Sequence, residues 1–263
     1  MKISVLKQEA LLSIKNHLGT VLGTSGLFCL IMILFSICLG QFTTTEGVLT
    51  VPGKALYIIM VIILFPLAIG IANTIVKITG KDPVSPVNFI TYSFKNFFKL
   101  WKILFRIMID ALIITGAAFL ITLLLLMLLI TTTGVAYETL QTFSLICYVI
   151  YVIALIIKII PYYFSFFIFI EHPEKKVKEI VTESQTLLKG QIFNFVLLVF
   201  SFIGWALLFT IITNGAYYLV SIEKLPYIVY SLTTYLPTLL LTPYILATQY
   251  AYYEDLQADN NSK

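Results

Sequence analysis

Three charged side chains lie within long apolar runs and are the residues of this sequence best placed for chemistry in apolar surroundings. Arg106 and Asp110 are four residues apart in one run, and Lys158 lies in the next. Residues four apart share one face of a helix, so Arg106 and Asp110 can pair. Asp110 could instead reach Lys158. A charged side chain near a bilayer centre costs about 2.5–3.5 kcal/mol, so all three are expected to face protein or water.

Two interpretations of these charges stay open. They could line a path for an ion or a substrate, or form an interhelical ion pair near the inner membrane interface, with the Arg106 side chain snorkelling to that interface. The structural interpretation is favoured, because one acidic and two basic side chains are too few to line a path across the membrane. The sequence contains no Walker loop, nucleophile elbow, HExxH motif or paired-carboxylate pattern. We therefore predict that the chain is not an enzyme and has no catalytic, cofactor or metal site.

The composition predicts the elements that hold these residues. Of 263 residues, 59% are hydrophobic and 11% are charged, whereas a soluble domain carries about 25% charged residues. Apolar residues in long blocks are typical of a multi-pass membrane protein. We predict an all-α fold with six transmembrane helices, in a single integral membrane domain over residues 1–263. The predicted spans cover residues 21–40, 55–78, 104–130, 142–168, 192–220 and 227–248.

An amphipathic segment rich in lysine precedes each of three predicted hairpins, at residues 2–18, 88–102 and 174–189. The predicted apolar stripes are Ile3, Leu6, Ala10, Ile14 and Leu18; Ile90, Phe94, Phe97, Phe98 and Trp101; and Val177, Val181, Ser184 and Leu188. Such a helix can rest in the headgroup region while its lysines bind anionic lipid. Pro173 is predicted in the first turn of the third helix and Gly190 at its C-terminal cap.

The distribution of lysine predicts the orientation in the bilayer. Segments 2–18, 77–102 and 174–189 hold most lysines, whereas the intervening loops hold Lys54 and Lys224. The positive-inside rule therefore predicts that both termini are cytoplasmic. The 17 basic residues form no single basic face, so the predicted partners are the bilayer, its anionic headgroups and a membrane protein, and not a nucleic acid.

The three hairpins have the pattern of an internal repeat. Each returning span has a proline followed four residues later by a small residue; the pairs are Pro66 and Gly70, Pro161 and Ser165, and Pro243 and Ala247. These prolines are predicted to kink their helices. Residues 13–16 also resemble residues 93–96. The alternative is chance similarity, because the matches are short and apolar helices commonly contain Pro and Gly.

The second half of the chain carries a set of motifs in a specific order. They are Pro161-Tyr162-Tyr163, Glu171-His172-Pro173, Glu183-Ser184, Leu188-Lys189-Gly190, Ser201-Phe202-Ile203-Gly204-Trp205, Pro243-Tyr244 and Tyr252-Tyr253. In these residues the chain resembles the domain of unknown function family 975, integral membrane proteins of low-GC Gram-positive bacteria. It is also distantly similar to the membrane domain beside some glycerophosphodiester phosphodiesterases. The resemblance implies a six-span plasma-membrane protein, packing roles for the motif residues, and no known reaction.

Two functions are predicted from these features. The first is a non-enzymatic scaffold or accessory component of an envelope or export system, because three basic surface helices would lie on one membrane face. The alternative is a transporter or immunity protein that handles a small amphiphile or a membrane-active peptide. That alternative is motivated by the kinked spans and by Arg106, Asp110 and Lys158. An enzyme is the weakest interpretation.

Overall fold

The computed structural model describes residues 2–44, 48–133, 137–224 and 226–261, and most of them are helical. The α-helices in these ranges are α1 Ile3–Asn16, α2 Leu18–Gly40, α3 Val51–Thr79, α4 Asn88–Lys95, α5 Phe97–Thr133, α6 Tyr137–Ile159, α7 Ser165–Glu171, α8 Val177–Leu188, α9 Ile192–Phe200, α10 Ile203–Ser221, α11 Tyr227–Leu236 and α12 Thr242–Asn261. A 3₁₀ turn, Ile160–Tyr162, lies between α6 and α7. A π-helical turn, Pro237–Leu241, lies between α11 and α12. The predicted all-α class is confirmed for the described residues.

Five helical segments of the described chain are long and apolar enough to cross a bilayer. They are Leu18–Gly40, Val51–Thr79, Phe97–Thr122, Thr142–Glu171 and Ile192–Ser221. These segments overlap the first five predicted spans. Many of their large apolar side chains point away from the rest of the protein, which fits helices whose solvent is lipid. Their length and composition therefore fit a membrane protein.

The sixth predicted span, residues 227–248, is not a single α-helix. It is divided among α11, the π-helical turn and the first turns of α12. Pro237 begins the π-helical turn and Pro243 follows it, and neither proline has a backbone N–H to donate to a regular ladder. The remainder of α12 is polar at its C-terminal end. This segment is consequently not among the five spanning helices, and the six-span layout stays a prediction.

The chain forms two compact units. The first consists of Met1–Phe97 and Phe193–Lys263, and the second of Phe98–Ile192. In the first unit, α1 packs against α12, α4 packs against α3, and α3 also contacts α2 and α12. In the second unit, α8 packs against α7 and the 3₁₀ turn. The prediction of one integral membrane domain stays a prediction.

The three short amphipathic helices α1, α4 and α8, which we call the surface helices, each bury one face in protein. Each buries a large apolar residue followed four residues later by a small one, and the pairs are Leu6 and Ala10, Phe89 and Ser93, and Ile180 and Ser184. All six residues are at most 3% exposed. Residues four apart stack on one face of a helix. The surface helices therefore pack by one shared pattern, in which Ala10, rather than Ser13, is the counterpart of Ser93.

The second predicted amphipathic segment, residues 88–102, is wrong as a single helix. The helix α4 ends at Lys95, and Phe97, Phe98 and Trp101 belong to α5. Its buried face holds Phe89 and Ser93, whereas Phe94, from the predicted stripe, is 58% exposed. The reason is the contact of α4 with α3. The small side chain of Ser93 lets the two helix backbones approach, whereas a phenylalanine at that position would separate them.

The third amphipathic segment begins later than predicted. Pro173 lies before the helix, which starts at Val177 after Lys176. The Glu179 carboxylate accepts a hydrogen bond from the Lys176 backbone N–H at 3.2 Å, and this interaction caps the helix start. Gly190 has a φ of +80°, a left-handed conformation that suits glycine after a helix. Gly190 is thus confirmed as a helix-terminating residue.

The contact between α3 and α4 predicts a strict size limit at Gly70. A β-carbon at Gly70 would overlap the Ser93 hydroxyl and the Phe89 carbonyl. Gly70→Ala should therefore lower the free energy of unfolding by about 1–3 kcal/mol, the usual cost of overpacking. The measurement is the thermal midpoint in detergent. The matched control is Gly26→Ala in α2, where the nearest atom would be 3.9 Å away, and equal midpoints for both variants would contradict the packing.

Candidate functional site

Arg106 and Asp110 form an ion pair within α5. The Arg106 Nε donates to the Asp110 Oδ2 at 3.0 Å, across one helical turn. The two side chains are 47% and 22% exposed, respectively, so the pair lies at the surface of its unit rather than in its core. A pair made within one helix needs no second element to position it. The geometry therefore gives Asp110 a partner from its own helix.

Lys158 stands apart from that pair. It lies in the last turn of α6, directly before the 3₁₀ turn, and its side chain is exposed. Within the described part of the chain, its ammonium has no acidic partner within 4 Å. The C-terminal end of α6 carries partial negative charge, which favours a cation at this position. The three charged residues predicted as a group thus divide into a pair and a separate cation.

A half-open cavity lies between α5 and α6 in the second unit. It has a volume of about 430 Å³, within the range of sites that hold small molecules. Its wall includes Phe119 of α5 and Tyr151 of α6, whose ring centroids are 4.6 Å apart. The lining is mostly apolar, and Lys158 lies at its edge. The cavity therefore combines an apolar wall with one cation.

Two surface helices bind the proline carbonyls of the helices beside them. The Ser93 Oγ of α4 lies 2.8 Å from the Pro66 carbonyl and 2.6 Å from the Phe89 carbonyl of its own helix, so its one hydrogen is shared between them. The Ser184 Oγ of α8 donates to the Pro161 carbonyl at 2.8 Å. The sequence motifs did not predict this role of the serines. The feature of the sequence that could have indicated it is the spacing, because each serine follows a large buried residue by four positions. Ala10 occupies the same place in α1 and has no hydroxyl to donate.

The prolines predicted to kink the spans differ in their surroundings. Pro66 is buried within α3, which continues past it as an α-helix. Pro161 lies in the 3₁₀ turn that separates α6 from α7. Pro243 is buried in the first turn of α12, after the π-helical turn. The α-helical pattern is therefore interrupted at or near the second and third prolines, and not at the first.

The Ser201–Trp205 motif marks the break between α9 and α10. The Lys7 ammonium of α1 donates to the Ser201 carbonyl at 2.8 Å and lies 4.1 Å from the centre of the Phe202 ring. A cation suits the free carbonyls where a helix ends, and the face of an aromatic ring attracts it. Burial lowers the pKa of Lys7 from its ordinary value. Phe202 also packs edge-on against Tyr244, with centroids 5.3 Å apart.

The other family-motif residues make fewer contacts. Gly204 has open space where a side chain would project, and Trp205 is 50% exposed. Lys189 is exposed at the end of α8. Among the described residues, no three potential metal ligands form a group. The predictions of no catalytic residue and no cofactor stay predictions.

The described residues are mostly helical and include five apolar helices of spanning length, which fits a membrane protein. The family model for a protein of unknown function (DUF975) matches residues 5–260, and the chain therefore belongs to that family. This match confirms the resemblance seen in the sequence motifs. No curated protein and no solved structure matches the chain.

The serine-to-proline contact predicts a stability loss at Ser184. Ser184→Ala removes the hydroxyl that binds the Pro161 carbonyl and should lower the free energy of unfolding by about 1 kcal/mol. Ser36→Ala in α2 is the matched control, since Ser36 is exposed on a helix. Thermal unfolding of both variants in the same detergent provides the comparison. A Ser184→Ala midpoint equal to that of wild type would rule out a stabilising role for this hydrogen bond.

Proposed function

We propose that this protein is a non-enzymatic scaffold or accessory component of an envelope or export system. It crosses the plasma membrane six times, with both termini in the cytoplasm. The proposal rests on the exposure of the segment Thr142–Glu171. No residue in its most apolar 18-residue stretch is buried within the protein. Such a helix has its lateral surface available for a partner helix in the bilayer.

The lysine distribution along the sequence supports the six-span topology. Lys2, Lys7 and Lys15 flank the first spanning helix on one side, whereas Lys54 lies at the start of the second. Basic residues are retained on the cytoplasmic side of a membrane. The third surface helix, α8, carries a further group of lysines before the fifth spanning segment.

A topology reporter tests the orientation. A fluorescent protein that matures in the cytoplasm and an enzyme that is active only outside should be fused in turn after Lys263. We expect fluorescence from the first fusion and no activity from the second, because an even number of spans returns the chain to its starting side. The same reporters placed in the loop after Gly40 serve as the control and should give the reverse. An externally active C-terminal fusion would overturn the six-span layout.

Partner capture tests the scaffold role. Affinity purification of the full chain in mild detergent should recover a membrane protein above background. Ile153→Trp alters the exposed surface of α6 and should reduce that recovery several-fold. Ile211→Trp makes the same change on exposed α10 and should not. If wild type recovers nothing, or both variants recover equal amounts, the scaffold proposal fails.

The second candidate function is the handling of a small amphiphile or a membrane-active peptide. The cavity that Lys158 lines and the Arg106–Asp110 pair on α5 favour it. If this candidate is right, Asp110→Asn should abolish resistance to the peptide, or flux of the amphiphile, at unchanged expression. Glu174→Gln, at an exposed carboxylate, is the control. Unchanged function in Asp110→Asn would leave the pair with a structural role.

A further inference from the structure

The register of α5 and α6 places Lys158 at one end of the cavity. The Phe119 ring contacts the Tyr151 ring. Phe119 lies 14 residues before the end of α5 at Thr133, and Tyr151 lies 14 residues after the start of α6 at Tyr137, so the contact requires the two helices to run in opposite directions. Each step forward along α6 from Tyr151 is therefore matched by a step backward along α5 from Phe119. Thr115 and Lys158 consequently lie towards the same end, and Thr122 and Cys147 towards the other. The cavity is thus polarised, with its cation at one end and an apolar wall along its length.

The Lys158 ammonium would be stabilised by a bound anion. Lys158 has no acidic group within 4 Å in the described part of the chain, and Asp110 is held by Arg106. An ammonium in low-dielectric surroundings without a counter-charge is unfavourable, and the end of one helix compensates it only in part. The Thr115 hydroxyl donates its hydrogen to the Ala111 carbonyl at 2.7 Å. The Lys158 ammonium is therefore the donor available to a ligand at that end of the cavity.

The cavity opens beside a helix that has no buried residue along its most apolar stretch. In a bilayer, the molecules next to such a surface are lipids. An occupant that enters from the side is therefore a membrane component, with an acyl chain that suits Phe119, Ile150 and Tyr151. Basic pockets between transmembrane helices are known to bind anionic headgroups.

We propose that this cavity binds an anionic phospholipid, with one acyl chain between α5 and α6 and the phosphate at Lys158. The proposal rests on the membrane assignment made above but not on a scaffold or transport role. A lipid with net negative charge is preferred over a zwitterionic one. The described lining of the cavity includes the Lys158 cation, which binds a phosphate, but no acidic side chain that would bind the positive charge of a choline group.

Native mass spectrometry of the purified full chain tests the proposal with two lipids, phosphatidylglycerol and phosphatidylcholine. Wild type should retain phosphatidylglycerol in preference to phosphatidylcholine. Lys158→Gln should weaken phosphatidylglycerol binding about tenfold, the effect of losing one charged hydrogen bond. Lys158→Arg should preserve it. Lys178→Gln, at an exposed lysine of α8, is the matched control and should bind as wild type does.

A second variant tests the apolar part of the cavity. Ala154 is exposed and lines the cavity, so Ala154→Phe should fill it without disturbing a core. This variant should weaken binding of both lipids. Equal retention of the two lipids by wild type, or wild-type binding by both Lys158→Gln and Ala154→Phe, would overturn the proposal. Because the assay uses purified protein, its failure is distinct from a failure to capture a partner in cells.

Discussion

A hydrogen bond from a surface helix to a proline carbonyl is the constraint on which the packing of both units depends. Ser93 binds the Pro66 carbonyl in one unit, and Ser184 binds the Pro161 carbonyl in the other. The bond requires the helices to approach closely, and the small residue at Gly70 permits that approach. Pro161 lies in the 3₁₀ turn between two helices, and in surroundings with little water a carbonyl at such a break needs a donor.

Close packing of small residues also joins the first and last described helices of the chain. Helix α1 packs against α12, and Ala10 and Ala247 belong to one buried apolar cluster. Neither alanine has a hydroxyl to donate, so these two residues contribute packing only. Lys7 adds a polar contact from α1 to the Ser201 carbonyl. A short basic segment that could have been a flexible flank is therefore an integral part of its unit.

The sequence was sufficient for features with a local cause. The five helices of spanning length follow from apolar runs in the sequence, and the Arg106–Asp110 pair follows from spacing on one helix. Features that depend on contacts distant in sequence could not be predicted. The hydrogen bond from Lys7 to Ser201 joins residues 194 positions apart. The separation of Lys158 from Asp110 depends on the register between two helices. The buried face of α4 was mistaken because hydrophobicity favours Phe94, whereas packing selects Ser93.

Cysteine accessibility measures whether each surface helix buries one face in protein. In a background without Cys29, Cys38 and Cys147, single cysteines replace three buried residues, Ala10, Ser93 and Ser184, and three exposed lysines, Lys15, Lys95 and Lys178. A water-soluble maleimide is applied to open membrane fragments. We expect rapid labelling at the lysine positions and strong protection at the buried ones. Equal labelling within each pair would contradict this expectation.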